Sequence, residues 1–215
     1  KFVQPALAAA GVLPENLIDT LPWSPLLFPQ KPYHALVKDD KLQSDAVNNP
    51  LNDALKARDL FYAEVAAFTR LDPDLKIIYY SLLQAQAVFS AFFKYLNFQP
   101  ERPDLASFIL KKFGAEICAK AEVARFVDEN PIELAYALAI IHCRHRFSIT
   151  PPWVLRNYPA IERVLANLRN NPCLEGCEYC RQHLDIFRGL KQFFGFEGYR
   201  TYGGEPLQEK AVRAA

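Results

Sequence analysis

Apolar residues recur at helical spacing along most of the chain. Ala54, Ala57, Phe61, Val65 and Phe68 form a stripe at intervals of three or four, and Asn49-Pro50 just before it supplies an N-cap and a first helical position. The pattern predicts a helix over 50–70. Asp72-Pro73 opens another helix in the same way. Leu105, Phe108, Ile109 and Phe113 share one face of a third, and Asn130-Pro131 starts a fourth on which Leu134, Ala135, Leu138, Ile141 and His142 align. After a break at Pro151-Pro152-Trp153, the segment from Pro159 to Leu168 carries the stripe Ile161, Val164, Leu165 and Leu168. The most apolar stretch, Ile77 to Phe93, approaches membrane-spanning length. It holds Ser81, Gln84, Gln86 and Ser90 between Lys76 and Lys94, and it predicts one buried core helix. Nearer the start, a short helix should end at Gly11 and a brief strand should occupy Leu17 to Thr20 before a proline-punctuated run to Tyr33-His34-Ala35-Leu36. The expected class is mainly α, with repeats and low-complexity segments absent.

Composition narrows the function classes. The 215 residues are 51% hydrophobic and 23% charged with a net charge of +1, so the chain can fold, but bulk charge makes no case for nucleic-acid binding. Lys1-Phe2-Val3-Gln4-Pro5 lacks a basic flank with a long apolar core, which points away from secretion and towards a cytoplasmic setting. The chain contains no Met and begins and ends within helical patterns, as a fragment of a longer protein would.

Cysteine spacing carries the sharpest chemistry. Cys173, Cys177 and Cys180 fall close together around Gly176, which permits a tight turn, and in a reducing compartment such thiols favour a metal over disulfides. The C-x3-C-x2-C spacing is also that of radical-SAM centres, but those need repeated strands that this helical pattern does not supply. A closed site needs one more ligand. Cys143 would complete an iron–sulfur arrangement, and His183, a helical turn beyond Cys180, would complete a zinc site. Cys118 reads as a buried small hydrophobe. His142 and His145 flank Cys143, and Arg144, Arg146, Arg181, Arg188 and Lys191 could touch phosphates or simply be solvated.

Residues 1–70 resemble the C-terminal half of a DnaQ-like 3′-5′ exonuclease. Ile18-Asp19-Thr20-Leu21 matches the Asp-Thr pair after a strand, Pro32-Tyr33-His34-Ala35-Leu36 the middle segment, and Asp53-Ala54 the end of an H-x4-D-A signature. The resemblance implies the C-terminal part of an α/β, RNase H-like fold and a role for Asp53 as one of several carboxylates holding two divalent cations. The family's other carboxylates would precede Lys1. Asn48 occupies the position of the general-base His and Asn49 that of its Tyr variant, and neither can take a proton from water.

Phe194-Gly195-Phe196, Tyr199-Arg200 and Leu207-Gln208 before Ala211-Val212 resemble the adenine-reading segment that opens RecQ-like ATP-dependent DNA helicases. The resemblance implies that Arg200 and Gln208 contact the adenine of ATP. Residues Thr201 to Leu207 lengthen the usual Arg-to-Gln spacing. Together the resemblances imply a four-part chain: an exonuclease remnant over 1–70, a helical connecting domain over 71–170, a cysteine metal site and helix over 171–193, and the start of a helicase over 194–215. The parent would bind DNA, ATP and Mg2+, unwind DNA in repair or recombination near the bacterial nucleoid, and hold zinc or an iron–sulfur cluster. The contrasting expectations are a non-enzymatic helical adaptor with a zinc knuckle, binding DNA or a protein partner, and a free-standing iron–sulfur redox protein.

Overall fold

A computed structural model describes residues 9, 11, 17–31, 50–143, 150–170, 173 and 176–183. Within them the chain forms helices α1 (Thr20–Leu27), α2 (Pro50–Arg70), α3 (Pro73–Leu83), α4 (Ala87–Tyr95) and α5 (Leu105–Phe113). These are followed by α6 (Val123–Glu129), α7 (Pro131–Cys143), α8 (Pro152–Asn157), α9 (Ile161–Leu165) and α10 (Glu178–His183), with a π-helical turn, Ala166–Asn170, continuing α9. No strand occurs among the described residues.

The strand expected at Leu17 to Thr20 is therefore not formed. Residues 17–19 are irregular and Thr20 already begins α1, because the Asp19 carboxylate accepts a hydrogen bond from the Leu21 N–H at 3.0 Å and acts as an N-cap. Trp23 and Leu26 of this helix are almost wholly buried. The Pro32 to Leu36 segment of the exonuclease resemblance, with Asn48 and Asn49, lies outside the described residues.

Helix α7 is the axis of the bundle. Residues Leu134 to Ala139 are all buried, and the helix packs on α1, α3, α6 and α9. Its sequence is apolar around most of its circumference, and from Leu134 to Ala139 it is covered on all sides rather than along the single stripe expected for it. Tyr136 ties it to α1 by donating its hydroxyl hydrogen to the Pro22 carbonyl at 2.9 Å.

The stretch Ile77 to Phe93 is two helices, not one. Gln84 caps α3 and Gln86 adopts an extended conformation (φ −86°, ψ 121°), so α4 starts in a new direction. The turn wraps Phe89, Phe92 and Phe93 around Trp23, with ring centroids 5.3, 4.2 and 5.1 Å away. Such aromatic pairs add roughly 0.5–1.5 kcal/mol each beyond area burial, which a straight helix would forgo. No helix among the described residues is long and apolar enough to cross a membrane. One core runs from Trp23 and Phe68 through Leu138 to Leu168. The Pro151 break is itself structured: Pro151 precedes α8, whose first residue is Pro152.

Candidate metal centre

Two short segments meet beside this core. Cys118 lies in the turn between α5 and α6, just after the fully buried Ile117. Its N–H donates to the Leu168 carbonyl at 2.7 Å, and the Glu122 N–H donates to Asn167 Oδ1 at 2.9 Å. The π-helical turn thereby holds the loop through backbone and side-chain acceptors. The second segment contains Cys173, Gly176 and Cys177 and then α10 with Cys180. Gly176 is buried with φ +57°, a left-handed conformation that costs a residue with a Cβ about 1–2 kcal/mol. This turn lets the Gly176 N–H reach the Cys173 carbonyl at 3.0 Å and the Cys177 N–H reach Cys173 Sγ at 3.1 Å. Tyr179, on the same helix as Cys180, is also buried and donates its hydroxyl to the Arg169 carbonyl at 3.4 Å.

The four sulfurs of Cys118, Cys173, Cys177 and Cys180 all lie within 4.8 Å of one another. Cys118 Sγ and Cys177 Sγ are 3.7 Å apart. A tetrahedron of thiolates about 2.3 Å from a central zinc has edges of about 3.8 Å, so only small movements would close these sulfurs on one ion. Each sulfur also receives a backbone N–H: Lys120 donates to Cys118 at 3.4 Å, Cys177 to Cys173, Cys173 to Cys180, and both Cys180 and Ala119 to Cys177. Donors aimed at sulfur favour its anionic form.

The thiols do not share that anionic character evenly. Burial pushes Cys177 up, but the N–H groups of Cys180 and Ala119, together with the Cys180 and Cys118 thiols, outweigh it and bring Cys177 down to about 6. Burial pushes Cys118 up to about 12, opposed by the Lys120 N–H and reinforced by its contacts with the other three thiols. Cys180 is raised as well, chiefly by burial. The first negative charge thus settles on Cys177, and a dication entering the group would draw the remaining protons off.

Neither residue expected as a fourth ligand joins this group. Cys143 ends α7 and stands apart from the group. His183 is exposed, its ring stacked on Tyr179 at 4.5 Å and its Nδ1 3.0 Å from the Tyr179 carbonyl, also outside the group. The fourth sulfur in the group is that of Cys118, 59 positions from Cys177. It is buried, as a small hydrophobe would be, but its sulfur faces other sulfurs.

The other anticipated residues are dispersed. Asp53 is half-buried in the first turn of α2, where its charge complements the helix dipole, and it belongs to no convergent set of three metal-ligating side chains among the described residues. His142 is exposed with its ring 6.4 Å from that of Phe113. Arg181 is exposed on α10. His145, Arg144, Arg146, Arg188, Lys191, Arg200 and Gln208 lie outside the described residues.

The fold and this group define a mainly helical protein in which four close cysteines could hold a metal ion. Comparison with protein-family models, curated proteins and solved structures finds no match to the chain.

Proposed function

We propose that this chain is the accessory region of a RecQ-like ATP-dependent DNA helicase, in which zinc held by Cys118, Cys173, Cys177 and Cys180 fastens the segment leading to the motor onto a helical bundle. The observation that carries the metal reading is the mutual approach of the four sulfurs within 4.8 Å. An iron–sulfur cluster distributes its thiolates over several irons and holds those on different irons farther apart, so a single ion fits better. Four protein ligands leave no position for water or substrate, and such a site serves structure, not catalysis.

The helicase reading is supported by the sequence from Phe194 to Ala215, with Arg200 and Gln208 in the adenine-contacting positions. ATP and Mg2+ would be handled by a phosphate loop following this segment. Asp53 would be the carboxylate retained from a DnaQ-like exonuclease module, with hydrolysis opposed by Asn48 at the base position. The closed coordination shell equally favours a second reading, a non-enzymatic adaptor built on a zinc knuckle.

The expected metal result is one zinc per chain in colourless protein; a brown, iron-containing preparation would overturn the single-ion assignment. The coding sequence separates the helicase from the adaptor: a G-x-x-x-x-G-K-[ST] loop is expected within about forty residues of Ala215. In the protein carrying that loop, Arg200→Ala and Gln208→Ala should each lower kcat/KM for ATP by an amount on the order of 1–3 kcal/mol, leave zinc content unchanged and relax discrimination against GTP. Unchanged ATP use and selectivity would refute the adenine-reading role.

A further inference from the structure

None of the cysteines lines a second feature: the turn from α3 to α4 and the chain following α4 enclose an open pocket of about 160 Å³. Its floor is aromatic. Tyr80 is half-buried, and Phe93 and Phe98 meet it nearly edge-on, at 5.2 and 5.8 Å with interplanar angles of 83°. The rim carries the side-chain amides of Gln84 and Gln99 and the exposed ammonium of Lys94. None of these three polar groups has a hydrogen-bond or ion-pair partner among the described residues. The exposed Arg102 guanidinium lies over the Tyr80 ring, 5.9 Å from its centroid. Among the described residues, no carboxylate lines the pocket.

A nucleotide needs this combination of groups. Its base has a flat face that gains from stacking on an aromatic ring and an edge that pairs with primary amides, and its phosphate seeks cations. Phe93 and Phe98 pack nearly perpendicular to Tyr80, which fixes the plane of its ring, and the Arg102 guanidinium shows that a planar group can lie over that ring. Arg102 can slide over a base or move to a phosphate. A peptide backbone would also pair with the amides, but a nucleotide joins a flat ring, an amide-pairing edge and a phosphate in one unit.

We propose that this pocket binds a nucleobase of a single-stranded nucleic acid, with Tyr80 as the stacking surface, Gln84 and Gln99 as base-edge contacts, and Lys94 and Arg102 as phosphate contacts. The site is independent of the metal centre and of the adenine-reading segment, so the failure of either leaves it standing.

The test is fluorescence anisotropy of a labelled oligothymidylate with the full chain across a salt series. Binding that weakens with salt is expected. The double variant Lys94→Ala/Arg102→Ala should reduce the slope of log affinity against log salt by about 1.4, the value for two lost single-strand phosphate contacts. Tyr80→Leu should weaken binding about tenfold or more. Because that substitution also disturbs packing on Phe93 and Phe98, Tyr80→Phe serves beside it and should bind as the parent does. Gln84→Ala, at a partly exposed position, should weaken binding without loss of helicity. Absence of oligothymidylate binding, or double-variant and Gln84→Ala proteins that bind as the parent does, would overturn the proposal. Displacement of the strand by thymidine monophosphate at equal base concentration would overturn the assignment to a strand in favour of a free nucleotide.

Discussion

Glu64 is the residue whose placement is least expected. It is fully buried on α2, and neither carboxylate oxygen has a hydrogen-bond partner among the described residues. Burial first, and then the nearby Asp19 charge, raise it to about 9, with Lys31 pulling in the opposite direction. The carboxyl is therefore neutral in the folded protein at pH 7, whereas an unfolded chain ionises it near the ordinary value of 4.5. The unfolded state then binds fewer protons between these values, so this group contributes a loss of stability as pH rises through that window. Glu64→Gln keeps the shape and removes the ionisation. It should raise stability at pH 7 by on the order of 2–3 kcal/mol and flatten the pH dependence between about 5 and 9. Denaturant melts at pH 5, 7 and 9 check this, and an equal effect of the substitution at all three would exclude a neutral buried carboxyl.

Among the helices, the α2-to-α3 junction shows how one side chain serves two elements. Asp72 Oδ1 accepts from the N–H groups of Asp74 and Leu75 at 3.0 and 3.2 Å, capping α3, while Oδ2 meets Lys112 Nζ of α5 at 2.7 Å. Partial burial raises the carboxyl, but the Lys112 hydrogen bond and charge and the capping N–H groups overcome it, and the net shift is downward. A lowered carboxylate gives stability that is present above its unfolded value and is lost as pH falls through the folded one. Asp72→Ala should cost about 1 kcal/mol at pH 7, mostly as a lost cap, since the ion pair is partly solvated. The cost should shrink in acid, as pH falls below the ordinary value of 3.8 and the lowered carboxylate is at last protonated. Thermal melts at neutral pH and in acid provide the measurement, and a difference that stays the same at both would count against the charged cap.

For the molecule as a whole, the bundle and the cysteine segment rest on different forces. The large core contains aromatic and aliphatic side chains from α1 through the π-helical turn, whereas Cys118, Tyr179 and Cys180 form a separate small cluster with Ala121, Cys173 and Cys177 packed on it. So small an apolar cluster holds its segment weakly, and metal ligation would supply the missing free energy. Chelation, or Cys118→Ser, should abolish zinc binding and make α10 susceptible to proteolysis, while most of the far-ultraviolet helical signal survives. Cys143→Ser should retain the full zinc content. Equal zinc loss in the two variants, or global unfolding on chelation, would contradict this division.

Much of this was legible along the chain. The stripes of α2, α5 and α9 reflect a local geometry that repeats every three to four residues, and Asp72-Pro73 announces α3 because capping involves only neighbouring atoms. Cys173, Cys177 and Cys180 could be associated for the same reason: they are near neighbours along the backbone, with Gly176 at the bend. Even Glu64 had a local signal, since it sits three residues after Phe61 and four before Phe68, on the face those residues define. Other features depend on what lies opposite in space. The split of Ile77 to Phe93 follows from the aromatic packing around Trp23, and the all-round burial of α7 from the helices that surround it. The choice of Cys118 over Cys143 and His183 belongs to the same class. No spacing rule links two residues 59 positions apart; their sulfurs meet because Leu168 and Asn167, on the turn after α9, accept hydrogen bonds from the loop that carries Cys118.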